Sequence, residues 1–327
     1  MKAVVIEKPG GPEVLKLVER PDPQAHKGEV RVKIKAAGVN RADLLQRQGG
    51  YPAPPGWPAD IPGLEFAGIV DQLGPESSGF TLGERVFGLC GGGAYAGYVV
   101  VNQGELSRIP DSLTFEEAAA VPEAFITAYD AMVTQGRLAS GETVLIDAVG
   151  SGVGTAALQI AKALLATTIG TSRSKDKLSK ASEFGLEHGI LVADGRFSAQ
   201  VMKLTEGRGV DLVLSLVGGS YFNEGIQAAA QRGRIILVGL LNGRECQVDL
   251  ARILSKRLEV RGTTLRARPL SEKIQIASNF AKHVVPLFQR GLLRPVVDRI
   301  ITLSEAADAH SHLEDNANFG KVVLQIE

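Results

Sequence analysis

The chain is 327 residues long, more than one hydrophobic core usually serves, so two domains are expected. With 44% hydrophobic and 22% charged residues it has the balance of a globular protein, which excludes a disordered chain. Lys plus Arg and Asp plus Glu both number 36, so neither nucleic acid nor an anionic membrane is an expected partner.

The opening run MKAVVIEKPGGPEVL has no apolar core of secretory length, and no apolar run approaches the roughly 20 residues that span a bilayer. Cys90 and Cys246 cannot build a disulfide framework, so the expectation is a cytoplasmic chain with free thiols. Strand signatures follow at Lys2–Glu7, Glu29–Ala37, Ala67–Leu73, Arg85–Leu89 and Tyr95–Val101, where β-branched residues stand between Gly and Pro. The segment Gly49–Gly63 carries Pro52, Pro54, Pro55, Pro58 and Pro62 and must be a loop. Thr114 reads as a helix cap, with Glu116 and Glu117 in the first turn.

From there strands and helices alternate. A strand at Glu142–Ala148 precedes a helix at Thr155–Leu165. A strand ending at Thr168–Gly170 precedes a helix at Asp176–Phe184. Strands at Val210–Val217 and Arg234–Val238 flank a helix at Tyr221–Ala230. This alternation predicts a parallel, doubly wound sheet. The character then turns mixed again, with an apolar helix over Ile274–Gln289 and a strand at Lys321–Ile326.

The sharpest local signal is the turn AVGSGVG at Ala148–Gly154, directly after the strand that reaches Asp147. Gly150, Gly152 and Gly154 permit a tight turn. With Ser151 and Val153 they put free N–H groups at a helix start, where the dipole favours a pyrophosphate. The spacing is not GxGxxG, and a ligand-free turn closing helix on strand is the alternative. A strand before and a helix after favour the dinucleotide. Folds that prefer NADH hold the ribose with an acid about 20 residues on. Here the corresponding stretch offers Ser172, Arg173, Ser174 and Lys177, hydroxyls and cations suited to a 2′-phosphate, so NADPH is expected. The competing reading is a solvated basic helix start.

Further blocks sharpen this. They are Ala37–Asp43 (AGVNRAD), Pro62–Gly68 (PGLEFAG), Gly83–Gly88 (GERVFG), Ala118–Ala124 (AAAVPEA), Leu145–Gly154, Gly218–Tyr221 (GGSY) and Gly320–Val323 (GKVV). With them the chain resembles, end to end, the zinc-independent, zeta-crystallin-like quinone oxidoreductases of the medium-chain dehydrogenase/reductase superfamily. Gly91–Ala96 and Gly218–Tyr221 are most similar to the tumour-suppressor-inducible branch. The resemblance implies an α/β protein in which a chaperonin-10-like β-barrel catalytic domain, residues 1–120 and 266–327, receives an inserted Rossmann domain at 121–265. It places the active site in the cleft between them and implies a homodimer paired through Rossmann edge strands.

Zinc-dependent members of the superfamily hold catalytic zinc through a Cys near the first helix, a His–Glu pair and a later Cys. This chain has Asn40 at the first position, Leu64 at the His, and no four-Cys lobe. His310 and His312, two apart, read as surface residues. A zinc site needs about four protein ligands, or three plus water, so no metal site is expected. Zinc in an alcohol dehydrogenase stabilises an alkoxide. A reduced quinone anion is delocalised and readily protonated by solvent, so its formation needs positioning more than acid–base power. The expected activity is NADPH-dependent, metal-free reduction of quinones.

The resemblance places Tyr51 beside the nicotinamide and the acceptor, where its phenol suits a hydrogen bond to the acceptor carbonyl; packing over the proline loop fits equally. It puts Asn40 and Asp43 in the cleft floor, although Asp43 also suits a helix cap. Thr127, Gly239, Leu240, Leu265 and Asn318 match contacts to the nicotinamide half. Two departures stand against a tight grip: a family tyrosine beside the 2′-phosphoadenosine falls at Val192, and a family Asp falls at Ser215. The alternatives are reduction of activated C=C bonds in enals or enones, and a dinucleotide-liganded, non-catalytic role of the crystallin or RNA-binding kind. No aromatic-plus-basic RNA motif supports the last.

Overall fold

The computed structural model describes residues 1–327, which form two compact units, Met1–Ile126 with Leu265–Glu327, and Thr127–Thr264. The first unit begins with β1 (Lys2–Ile6), β2 (Leu15–Glu19), β3 (Glu29–Val39), α1 (Arg41–Arg47), β4 (Glu65–Leu73), β5 (Arg85–Leu89), β6 (Tyr98–Asn102), β7 (Leu106–Arg108) and α2 (Phe115–Ala119). The boundary falls at 126 rather than 120 because α2 packs on β3 and β4, and the wide turn Pro122–Ile126 packs on β4 and β5. Thr114 caps α2 as expected, accepting from Glu117 N while the Glu117 carboxylate accepts from Thr114 N. The proline-rich stretch between α1 and β4 holds no helix or strand.

The second unit comprises α3 (Thr127–Tyr129), β8 (Thr143–Ile146), α4 (Gly152–Ala163), β9 (Thr167–Ser172), α5 (Lys175–Ser182), β10 (His188–Leu191), α6 (Ser198–Leu204), β11 (Val210–Ser215), α7 (Ser220–Ala228), β12 (Ala229–Leu237), α8 (Leu250–Lys256) and β13 (Glu259–Gly262). Its six strands are all parallel, in the order β10-β9-β8-β11-β12-β13. This is the doubly wound dinucleotide order, and the reversal between β8 and β11 opens a crevice at their carboxyl ends. Leu145, Ile169, Val213 and Ile235 fill the sheet, with Val192 and Phe197 packed in the same core. β13 forms one edge and all four of its residues are exposed.

The chain returns to the first unit through α9 (Leu270–His283), α10 (Val285–Gln289), β14 (Val297–Thr302), α11 (Ala306–Glu314) and β15 (Lys321–Gln325). The single helix expected over Ile274–Gln289 is two helices: Pro286 has no N–H to continue the ladder, and the break falls at Val284. β1 and β2 form an antiparallel ribbon, and the main sheet runs β14-β15-β3-β4-β5-β7 with β6 also on β3. Along β3, Val30, Val32 and Ile34 point inward while Arg31 and Lys33 alternate with them, the period of a strand with one buried face. β15 pairs antiparallel with β3, Val322 opposite Val39, so residues far apart in sequence share one core with Phe66, Tyr95 and Leu324. No helix is long and apolar enough to cross a membrane.

Candidate functional site

In the second unit the glycine turn leaves β8 at its carboxyl end. Ser151 caps α4, its Oγ accepting from Gly154 N at 3.0 Å. The first N–H groups of α4 are thereby aimed outward, where a helix start favours an anion. The glycines are sterically required. A Cβ at Gly154 would lie 2.5 Å from Ala148 O, and one at Gly150 would lie 2.9 Å from Lys177 Cδ. Ala148 itself takes φ +49°, a left-handed conformation that costs a residue with a Cβ.

At the end of β9 the Ser172 Oγ accepts from Ser174 N, and the Ser174 Oγ accepts from Lys177 N at the start of α5. Both hydroxyls keep an O–H to donate. Arg173 is exposed between them and Lys177 lies along Gly150, so two cations flank the turn. Asp176, the one acid nearby, is paired with Lys180 at 2.9 Å. Gly150 to Gly154, Ser172, Arg173 and Lys177 thus meet at the carboxyl ends of β8 and β9, and their chemistry fits a pyrophosphate and a 2′-phosphate. Gly239 follows β12, where a Cβ would lie 2.3 Å from Leu216 O; Leu240 beside it is exposed, and Thr127 is buried at the unit's start.

Beneath the turn lies a group of which the sequence reading singled out only Ser215. Asp147, Thr171 and Ser215 end β8, β9 and β11 and are fully buried. None of the two carboxyl oxygens and two hydroxyls makes a hydrogen bond of ordinary geometry. Burial pushes the Asp147 carboxyl up to about 8, with only partial relief from the Ser215 and Thr171 hydroxyls and the Leu216 N–H.

In the first unit, Asn40 and Asp43 form a capping box on α1, with Asn40 N donating to Asp43 Oδ2 at 2.8 Å. Asp43 also accepts from Gly63 N and from the Tyr95 hydroxyl. Burial raises its carboxyl to about 6, against the pull of the Asn40 N–H and Lys321. Tyr95 leads on to His310 at 3.1 Å, and His310 to Arg47 at 3.3 Å. Because Arg47 only donates, His310 Nδ1 must accept; its Nε2–H then donates to Tyr95, and Tyr95 donates to Asp43. Burial and Arg47 hold His310 down to about 3, hence neutral. The expectation of a surface His310 is therefore corrected: α11 turns it fully inward, whereas His312 is only partly buried, 2.7 Å from Asp298. Residue spacing alone could not tell which of the two faces the core.

Asn40 also enters a second network. Its Nδ2 donates to Glu65 Oε1 at 2.8 Å, and its Oδ1 accepts from Lys321 Nζ at 2.5 Å. Lys321 Nζ is 2.6 Å from Glu65 Oε1, and Glu65 Oε2 accepts from Glu123 N at 2.7 Å. Gly38 makes room, since a Cβ there would lie 2.1 Å from Glu65 Oε1. These residues do not fit a zinc ion. Asn40 offers only an amide and Leu64 no donor atom, a lysine ammonium already answers Glu65, and nowhere are three His, Cys, Asp or Glu side chains arranged to hold a metal.

Tyr51 is half-buried in the proline-rich loop. The Arg266 guanidinium lies 5.0 Å from its ring centre and donates to its carbonyl at 3.0 Å, while also reaching Gly91 O and Gln46 Oε1. Burial, then the neighbouring Glu123, pushes the Tyr51 phenol up. Leu265 and Asn318 belong to this unit too; the Asn318 amide is buried and donates to Gly320 O at 2.7 Å. Glu123 was missed by the sequence reading. Its signal was present, a single acid in the otherwise apolar run AAAVPEAFI. Burial, then Glu65, raises its carboxyl to about 8.

Comparison with known proteins agrees with this geometry. The sequence profile of the alcohol dehydrogenase GroES-like domain matches residues 26–111, and that of the zinc-binding dehydrogenases matches residues 152–282. A quinone oxidoreductase from Lama guanicoe is 30% identical over 100% of this chain and 98% of its own length. The structure of Escherichia coli quinone oxidoreductase complexed with NADPH superposes with a TM-score of 0.90 at 29% identity, covering 100% of both chains. An NAD-dependent alcohol dehydrogenase superposes with a TM-score of 0.88 at 33% identity, again over 100% of both. With its GroES-like unit, its Rossmann-type parallel sheet and these relatives, the chain belongs to the quinone oxidoreductase family of the medium-chain dehydrogenase/reductase superfamily.

Proposed function

We propose that the protein reduces quinones with NADPH and without a catalytic metal. The observation that carries this reading is the Lys321 ammonium between Asn40 and Glu65. The chain's own cation neutralises the Glu65 carboxylate, so an alkoxide would find no Lewis acid there. An electron-poor acceptor, whose reduced anion is delocalised, needs none. When bound, NADPH supplies the hydride. Gly150 to Gly154 and Ser151 receive its pyrophosphate, and Ser172, Arg173 and Lys177 receive its 2′-phosphate. Thr127, Gly239, Leu240, Leu265 and Asn318 serve the nicotinamide half. Tyr51 orients the acceptor, while Asp43, with both oxygens engaged, holds α1 and the Gly63 backbone in place. The protein works as a cytoplasmic homodimer through its exposed β13 edge.

The test follows NADPH oxidation in metal-free buffer with 1,2- and 1,4-quinones. Turnover that survives a chelator is expected, and absence of turnover with every quinone overturns the reading. Running an α,β-unsaturated ketone alongside shows whether activated C=C bonds are reduced at a higher kcat/KM.

A further inference from the structure

Glu123 has a carboxyl group that neither the fold nor the cofactor explains. Its backbone is committed, the N–H donating to Glu65, but its side chain makes no hydrogen bond or ion pair. By contrast, Glu65 has both oxygens engaged by Asn40, Lys321 and Glu123 N. A carboxyl set in an apolar segment without a partner is costly to keep. This one is only partly exposed and lines a partly open cavity of about 30 Å³ in the first unit, which it shares with Leu64, Cys90, Glu105, Arg266 and Lys273. A space of that size takes one or two water molecules. The charged groups around Glu123 are Glu65, Lys321, Asp43 and Arg266, with Glu105 and Lys273 across the cavity and Tyr51 close enough to feel its charge.

We propose that Glu123 is the proton donor of the reaction, delivering its carboxylic proton to the oxygen of the reduced acceptor and regaining it through the cavity. This deepens the quinone reading above and rests on it. Two electrons and one hydrogen, arriving as hydride from NADPH, turn a quinone into a hydroquinone monoanion. The Glu123 O–H bond then breaks as the new acceptor O–H bond forms, leaving hydroquinone and a Glu123 carboxylate. A water in the cavity passes a proton back from the Glu105 and Lys273 side. Two candidates for the donor stand in this unit. Tyr51 has its phenol pushed above its ordinary range by burial, whereas Glu123 sits at about 8, near working pH, where a general acid is most effective. The neighbouring Glu65 sustains this arrangement, because a second negative charge beside it is disfavoured.

The experiment measures kcat for a 1,4-quinone against pH in the wild type and in Glu123→Gln, together with NADPH affinity by fluorescence titration. In the wild type kcat falls as pH rises through about 8. Glu123→Gln lowers kcat about 100-fold, the low end for general acid catalysis, and removes that limb while leaving NADPH affinity unchanged. An infrared difference spectrum of wild type minus Glu123→Gln at neutral pH shows the band of a protonated carboxylic acid. Should the Gln variant fail to fold, Glu123→Asp takes its place, with the limb retained and kcat reduced. An unchanged kcat and pH profile, or no such band, overturns the proposal while the quinone activity stands. Absence of quinone turnover by the wild type overturns both.

Discussion

Lys321 Nζ and Glu65 Oε1 stand 2.6 Å apart with both side chains buried, joining the last strand of the first unit to its fourth. Breaking a buried pair from one side leaves an uncompensated charge, which costs about 3–5 kcal/mol. Lys321→Met is therefore expected to lower stability by that amount in chemical denaturation. Adding Glu65→Gln should recover part of it. A loss below about 1 kcal/mol in the single variant would show that the pair contributes little.

Ala148 holds a left-handed backbone at the glycine turn. Replacement by Gly removes the Cβ strain and adds some unfolded-state entropy, for a net gain of about 0.5–1 kcal/mol. Thermal unfolding of Ala148→Gly checks this; a lower Tm would contradict it.

Asp147 gives a pH dependence of unusual sign. Its carboxyl lies at about 8 in the fold, and near the ordinary aspartate value once unfolded. Between about pH 4 and 8 the folded state therefore holds the extra proton, and stability falls as pH rises through that window. Asp147→Asn removes this contribution, so the variant should gain on the wild type steadily from pH 4 to 8 in urea denaturation. A constant difference would show that Asp147 does not titrate there.

Arg173 is exposed beside the two serine hydroxyls that end β9. Loss of a charged hydrogen bond costs about 1.5–3 kcal/mol, so Arg173→Ala should lower kcat/KM for NADPH about 10- to 100-fold and leave NADH within twofold. An unchanged ratio would remove the 2′-phosphate from this place.

The β13 edge offers unpaired backbone groups and an exposed Val260. Val260→Lys should shift a dimer to monomer in size-exclusion chromatography with light scattering. A monomeric wild type would dispose of the edge as an interface.

Much of this was readable in the residues. The parallel sheet showed in Thr143–Ile146 and Val210–Ser215, where largely apolar runs mark strands buried on both faces. β10 and β13 escaped because short, solvent-facing edge strands lack that pattern. The glycine turn and the basic stretch after β9 were legible because each function there needs particular residue types at fixed spacing. Burial of polar groups was not: Asp147, Glu123 and His310 are ordinary letters until the fold shows what surrounds them. The two acids did leave a trace, each standing alone in an apolar run, and such a lone acid is worth marking in any sequence.

The pairing of β15 with β3 also sets an order of assembly. The second unit is contiguous, so all of its strands have left the ribosome before β15 is made. The first unit cannot follow that schedule. Until Lys321 emerges, Glu65 lies in a nascent sheet with no cation to answer it and with one edge of β3 open. Translation therefore completes the inserted unit ahead of the unit whose sequence flanks it.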